Sequence, residues 1–277
     1  MSIITSIPGG TTQTILDSLV KYGITNPYLQ AGILGVIYKE TNFVPKGEYS
    51  YRNTSAKRLK QIFSFLKNMS DADVDALKKD DVKFYEKIYG GKYGNDSYGD
   101  GWKYRGRGLN GITFKDYYKV LTKNLGIDLV NFPDRLNELP IASDALAYYF
   151  ADGLRSGKKS GLMKQKFGFD SPDDVKDLNT GTQLAVQMNA GWKTAFTHPT
   201  IQEGYKRALS VVPDFYAYLN LSPYVAPVIE TALAPADELV DIATNPKRKK
   251  ARRIVGAIAG VGILTTLGII YHQTHKA

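Results

Sequence analysis

The chain contains no cysteine, which excludes disulfides and thiol chemistry. Histidine is nearly absent: only His198, His272 and His275 occur. No His/Cys cluster exists to hold zinc or to serve a nucleophile as its base, so neither a metal nor an organic cofactor is expected. Runs of alternating apolar and polar residues are short and few, which argues against a strand-rich architecture. These absences leave carboxylates as the main candidates for catalysis.

Charge also means less than it first suggests. The formal net charge is +9, but residues 247–277 hold seven Lys/Arg and no acid. The remaining 246 residues carry 29 basic and 27 acidic side chains, a net of +2. The body of the protein is nearly neutral, so nucleic acid is not expected as a partner.

Helical spacing dominates residues 1–220, which read as one mainly α domain. Thr11 to Tyr22 places Ile15, Leu16, Leu19 and Val20 at helical intervals. Asn26-Pro27 is an N-cap followed by proline at the first helical position, and Leu29, Ile33, Leu34 and Ile37 follow on or near one face. Further helices are predicted at Ala56–Leu66, Ala72–Lys79, Phe114–Asn124, Ser143–Leu154 and Thr182–Asn189. The stretch 89–111, rich in Gly, Tyr and Asp, predicts a structured loop. Residues 221–246 contain four prolines and predict a tether.

Beyond the tether lie the basic run 247–253 and then Ile254 to Tyr271, 18 residues without a charge. As a helix these reach about 27 Å, near the ~30 Å of a bilayer core. The expectation is a C-terminal transmembrane helix, with the preceding domain on the basic side of the bilayer, cytoplasmic or facing a capsid in a virion membrane. No N-terminal signal peptide is apparent. Gly256 and Gly260 form a GxxxG pattern that suits helix–helix self-association in lipid.

Two glutamates carry the chemical reading. Glu40 falls near the C-terminal end of the Pro27 helix, where the partial negative charge disfavours an ionised carboxylate, as a general acid requires. Glu48 follows eight residues later, past Pro45 and Gly47, in the next loop. A helix end and a nearby loop can set two carboxylates across a groove. An inverting glycosidase needs them about 6.5–9.5 Å apart. On spacing alone, two solvated acids explain the pair better than a catalytic dyad.

Sequence strings sharpen this. Lys39-Glu40-Thr41-Asn42-Phe43 is followed by Glu48-Tyr49-Ser50. Next comes Gly99-Asp100-Gly101-Trp102-Lys103-Tyr104-Arg105-Gly106-Arg107-Gly108, then Ile112-Thr113, and later Asn189-Ala190-Gly191 and Tyr205-Lys206-Arg207. In order and type this series resembles glycoside hydrolase family 19, the chitinases and their phage endolysin relatives of the lysozyme-like superfamily.

The resemblance implies a lysozyme-like helical domain and inverting hydrolysis of β-1,4 bonds in peptidoglycan. Glu40 would be the general acid and Glu48 the general base. Thr113 would help hold the attacking water, and Asn189 would contact sugar. Arg105 and Arg107 are expected to hold the loop in shape. Trp102 and Tyr104 either stack on sugar or pack the loop. Three positions depart from the family pattern: Lys39 for a His, Gly111 for a Gln whose amide the neighbouring Asn110 is expected to replace, and Tyr117 for an Asn. The departures touch substrate contacts rather than the two carboxylates. The alternatives are a lytic transglycosylase using Glu40 alone, action on chitin, and a virion structural or wall-binding protein without catalysis.

Overall fold

In the computed structural model, residue 7 and the runs 10–155, 163–190 and 197–221 are described. Helix α1 (Thr11–Lys21) buries Ile15, Leu16 and Leu19, as its spacing predicts. Helix α2 (Pro27–Thr41) begins as the sequence indicates, with the Asn26 side chain accepting from the Leu29 amide at 3.0 Å and Pro27 at the first position. Such a cap is worth about 1 kcal/mol. Every residue from Leu29 to Ile37 is buried. A helix apolar on all sides belongs at the centre of a fold, and α2 is packed by three later helices, α9 (Leu178–Asn189), α10 (Pro199–Leu209) and α11 (Val212–Leu221). The α2–α9 crossing needs glycine: a Cβ on Gly32 would lie 2.6 Å from the Gly181 carbonyl oxygen.

Two smaller cores flank this centre. Helices α3 (Ala56–Ile62), α4 (Asp71–Leu77) and α5 (Asp81–Tyr89) enclose Leu59, Val74, Phe84 and Tyr85. The helix expected over 56–66 stops at Ile62, because Phe63 takes extended angles (φ −113°, ψ 110°) before a 3-10 turn at Ser64–Leu66. Helix α5 was not among the expected elements. Asp80 caps it by accepting from the Lys83 amide at 3.1 Å. The other core gathers Tyr104, Ile112, Tyr118, Leu121 and Leu129 beneath α7 (Lys115–Leu125) and α8 (Leu139–Arg155). The predicted 89–111 loop contains one short helix, α6 (Asp100–Lys103). Among the described residues the only ladder-type pairing is an isolated antiparallel bridge between Arg107 and Ile112.

The domain is thus mainly helical, consistent with the lysozyme-like expectation. The membrane expectation is corrected. No helix among the described residues is long and apolar enough to cross a membrane. Central α2 has only 15 residues, and the 17-residue α8 carries Asp144, Asp152 and Arg155. The fold is therefore described without a transmembrane helix, and the membrane-anchored location expected from it is withdrawn. The segment 254–271, with Gly256 and Gly260, lies outside the described residues, as do residues 222–253 of the tether and basic run.

Candidate active site

Two backbone features aim the glutamates into one place. At the end of α2, Asn42 and Phe43 both take left-handed angles (φ 53° and 58°), turning the chain sharply. Phe43 is held in that turn by ring contacts with Tyr38 at 5.6 Å and Phe215 at 5.5 Å. Glu40 is left exposed on the last turn of the helix. The chain then runs without regular secondary structure through residues 44–50 and is tied to the glycine-rich loop by two amides of its own. The Lys46 amide donates to the Gly108 carbonyl at 3.3 Å, and the Glu48 amide to the Gly106 carbonyl at 2.8 Å. Glu40 and Glu48 line the same open cavity, of about 540 Å³. That size suits a small-molecule or oligomer subsite.

The two carboxylates have different surroundings. Glu40 makes no hydrogen bond or ion pair among the described residues. Glu48 is half-buried and fully engaged. Tyr51 donates its hydroxyl to Oε1 at 2.9 Å, Tyr89 donates to Oε2 at 3.0 Å, and the Gly106 amide donates to Oε2 at 3.4 Å. Three donors meeting one carboxyl group suit the ionised form, which only accepts. Burial, and then the charge of Glu48, push the phenols of Tyr51 and Tyr89 well above their ordinary range, so both stay protonated donors.

The loop that faces Glu48 is held by its arginines. Arg105 donates from Nε to the Glu48 carbonyl at 3.1 Å and from Nη1 to the Trp102 carbonyl at 2.9 Å. Its guanidinium lies 3.6 Å from the Trp102 ring centroid, close enough for a cation–π contact. Arg107 is only 2% exposed. It donates to Asp134 at 2.7 Å, to the Lys103 carbonyl at 2.7 Å and to the Tyr118 hydroxyl at 3.1 Å. Both arginines thus act on loop shape.

Thr113 lines the cavity, with its hydroxyl donating to the Gly111 carbonyl at 2.8 Å. A Cβ on Gly106 would stand 3.4 Å from Glu48 Oε2 and 3.6 Å from Thr113 Oγ1. Glu48 and Thr113 therefore border one small volume in front of Gly106. Asn110 and Asn189 also line the cavity, and the Oδ1 atom of each is buried without a hydrogen-bond partner. A buried acceptor left unpaired costs about 1–3 kcal/mol, a cost a ligand donor would relieve.

Trp102 and Tyr104 do not line the cavity. Tyr104 is 1% exposed, packs on Tyr118 at 5.2 Å and donates to the Val130 carbonyl at 3.1 Å. Trp102 packs edge-on against Tyr85 at 5.1 Å, with Arg105 across its ring. Tyr117 sits between α7 and α8, its ring 5.9 Å from that of Tyr149. Sequence reasoning missed Tyr51, Tyr89 and Lys46. Tyr51 lies three residues from Glu48 and was open to inspection. Tyr89 lies 41 residues away, and no local signal links it to Glu48. Among the described residues, no group of His, Cys, Asp or Glu is placed to hold a metal ion.

No protein-family model matches the chain. A 45-residue stretch is 53% identical to a glycosyl hydrolase family 19 domain-containing protein of Haemophilus influenzae. The stretch covers 16% of this chain and 22% of that protein, so it spans under a quarter of the relative's length. Short as it is, the similarity points in general terms to a glycoside hydrolase.

Proposed function

We propose that the chain hydrolyses β-1,4 glycosidic bonds of peptidoglycan by single displacement. The observation that carries this reading is the unequal setting of two carboxylates on one cleft: Glu48 held by three donors, Glu40 free at the helix end. Glu40 in its protonated form gives its proton to the glycosidic oxygen as the C1–O bond breaks. Glu48 removes a proton from a water whose oxygen attacks C1 from the opposite face. Glu40 ends ionised and Glu48 protonated, and exchange with solvent restores both. Thr113 holds the same water through its hydroxyl. The unpaired oxygens of Asn110 and Asn189 take hydrogen bonds from sugar hydroxyls or N-acetyl N–H groups.

Mass spectrometry of products from purified peptidoglycan tests this, using the full chain beside Glu40→Gln and Glu48→Gln. The expected result is reducing muramic-acid ends from wild type and none from either variant. Anhydro-muramic products that survive the Glu48 change would replace hydrolysis with transglycosylation, and release only from chitin would move the substrate.

A further inference from the structure

The segment 44–50 carries a second charged side chain into the cleft. The amides of Lys46 and Glu48 both point at the glycine loop, to Gly108 and Gly106. Lys46 and Glu48 line the same cavity. Lys46 is half-buried and makes no ion pair among the described residues. Its ammonium lies 5.7 Å from the ring centroid of Tyr49, a side chain that is itself 69% exposed at the cleft edge. The catalytic proposal keeps Glu48 ionised on this cleft, and that charge would repel an anionic glycan. One cation on the same cleft offsets that repulsion.

We infer that Lys46, braced by Tyr49, is a subsite for a carboxylate on the glycan and sets a preference for anionic over neutral β-1,4-linked N-acetylated chains. The inference rests on the hydrolase reading above and adds a specificity determinant to it. The carboxylate has two sources in peptidoglycan: the lactyl ether of a muramic acid stripped of peptide, or an acidic residue of an attached stem peptide.

Calorimetric binding by the full chain carrying Glu48→Gln separates these, with no turnover to confuse the readout. The probes are peptide-free glycan strands, strands with intact stem peptides, and a neutral N-acetylglucosamine hexamer. Adding Lys46→Met should reduce the ratio of anionic to neutral affinity by about tenfold, as expected for a lost charge-assisted contact. Lys46→Arg should keep most of the ratio, and raised salt should shrink it in the Lys46 protein but not in the Met variant. The strand type that loses affinity identifies the carboxylate. Equal weakening on all three glycans, or on none, would overturn the role of Lys46 and leave the hydrolase reading intact. Absence of binding to every glycan by the Lys46 protein would overturn that reading, and this inference with it.

Discussion

Tyr89, at the end of α5, donates its hydroxyl to Glu48 Oε2 at 3.0 Å, joining two residues 41 apart in sequence. The bond fixes which oxygen of Glu48 faces the Gly106 amide and which faces Tyr51. Tyr89→Phe keeps the ring and removes one donor to a charged acceptor. The expected result is a fall in turnover of about tenfold with a stability loss of about 1 kcal/mol. Steady-state kinetics on peptidoglycan and urea denaturation measure the two separately.

Gly106→Ala tests the volume shared by Glu48 and Thr113. Gly106 is not among the glycines with positive φ, so its backbone tolerates alanine. Its new methyl would stand 3.4 Å from Glu48 Oε2 and crowd a water held between Glu48 and Thr113. Stability should hold or rise by about 0.5 kcal/mol while turnover falls at least tenfold. Unchanged activity would remove the water site from the mechanism.

Arg107→Met tests the loop. The exposed Asp134 (77%) regains water once the pair is broken, so its share of the cost is small. The Lys103 carbonyl loses its arginine donor, and an unsatisfied acceptor costs about 1–3 kcal/mol. A loss in that range by urea denaturation, with activity falling alongside, is the expected outcome.

Alkaline pH should destabilise the fold through the phenols around Glu48. Burial raises Tyr51, Tyr85 and Tyr89, and the Glu48 charge adds to it. An unfolded chain releases these protons near the ordinary phenol value of 10.0. The folded protein keeps them to higher pH, so above that value the unfolded state binds fewer protons and stability falls as pH rises. Thermal unfolding midpoints should be unaffected by these phenols at lower pH and decline above pH ~10. The double change Tyr51→Phe, Tyr89→Phe should flatten that decline.

Much of the helical skeleton was legible because its signals are local. Asn26-Pro27 starts α2 where capping chemistry says it should, and the spacing of Ile15, Leu16 and Leu19 identifies α1. The misses are informative. Helix α5 carries a visible cap at Asp80 and apolar Phe84, Tyr85 and Ile88, but it follows another short helix so closely that the boundary hid it. Helices α10 and α11 were also passed over, although Pro199 stands at the first position of α10. Sugar stacking and loop packing stay equally open for Tyr104 in the sequence, and the fold buries it against Tyr118 of α7.

By itself, the sequence determined which residues can do chemistry: no thiols, almost no imidazoles, and two glutamates on either side of Pro45 and Gly47. It also determined the helix starts, since capping acts over three or four residues. Only the tertiary structure decided that Glu48 meets Tyr51 and Tyr89, that Arg107 lies buried against Asp134, and that Lys46 shares the cleft with both glutamates. Those relationships depend on how a loop at residue 106 pairs with the segment at residue 48. That pairing comes from packing among segments far apart in the chain, which no local pattern encodes.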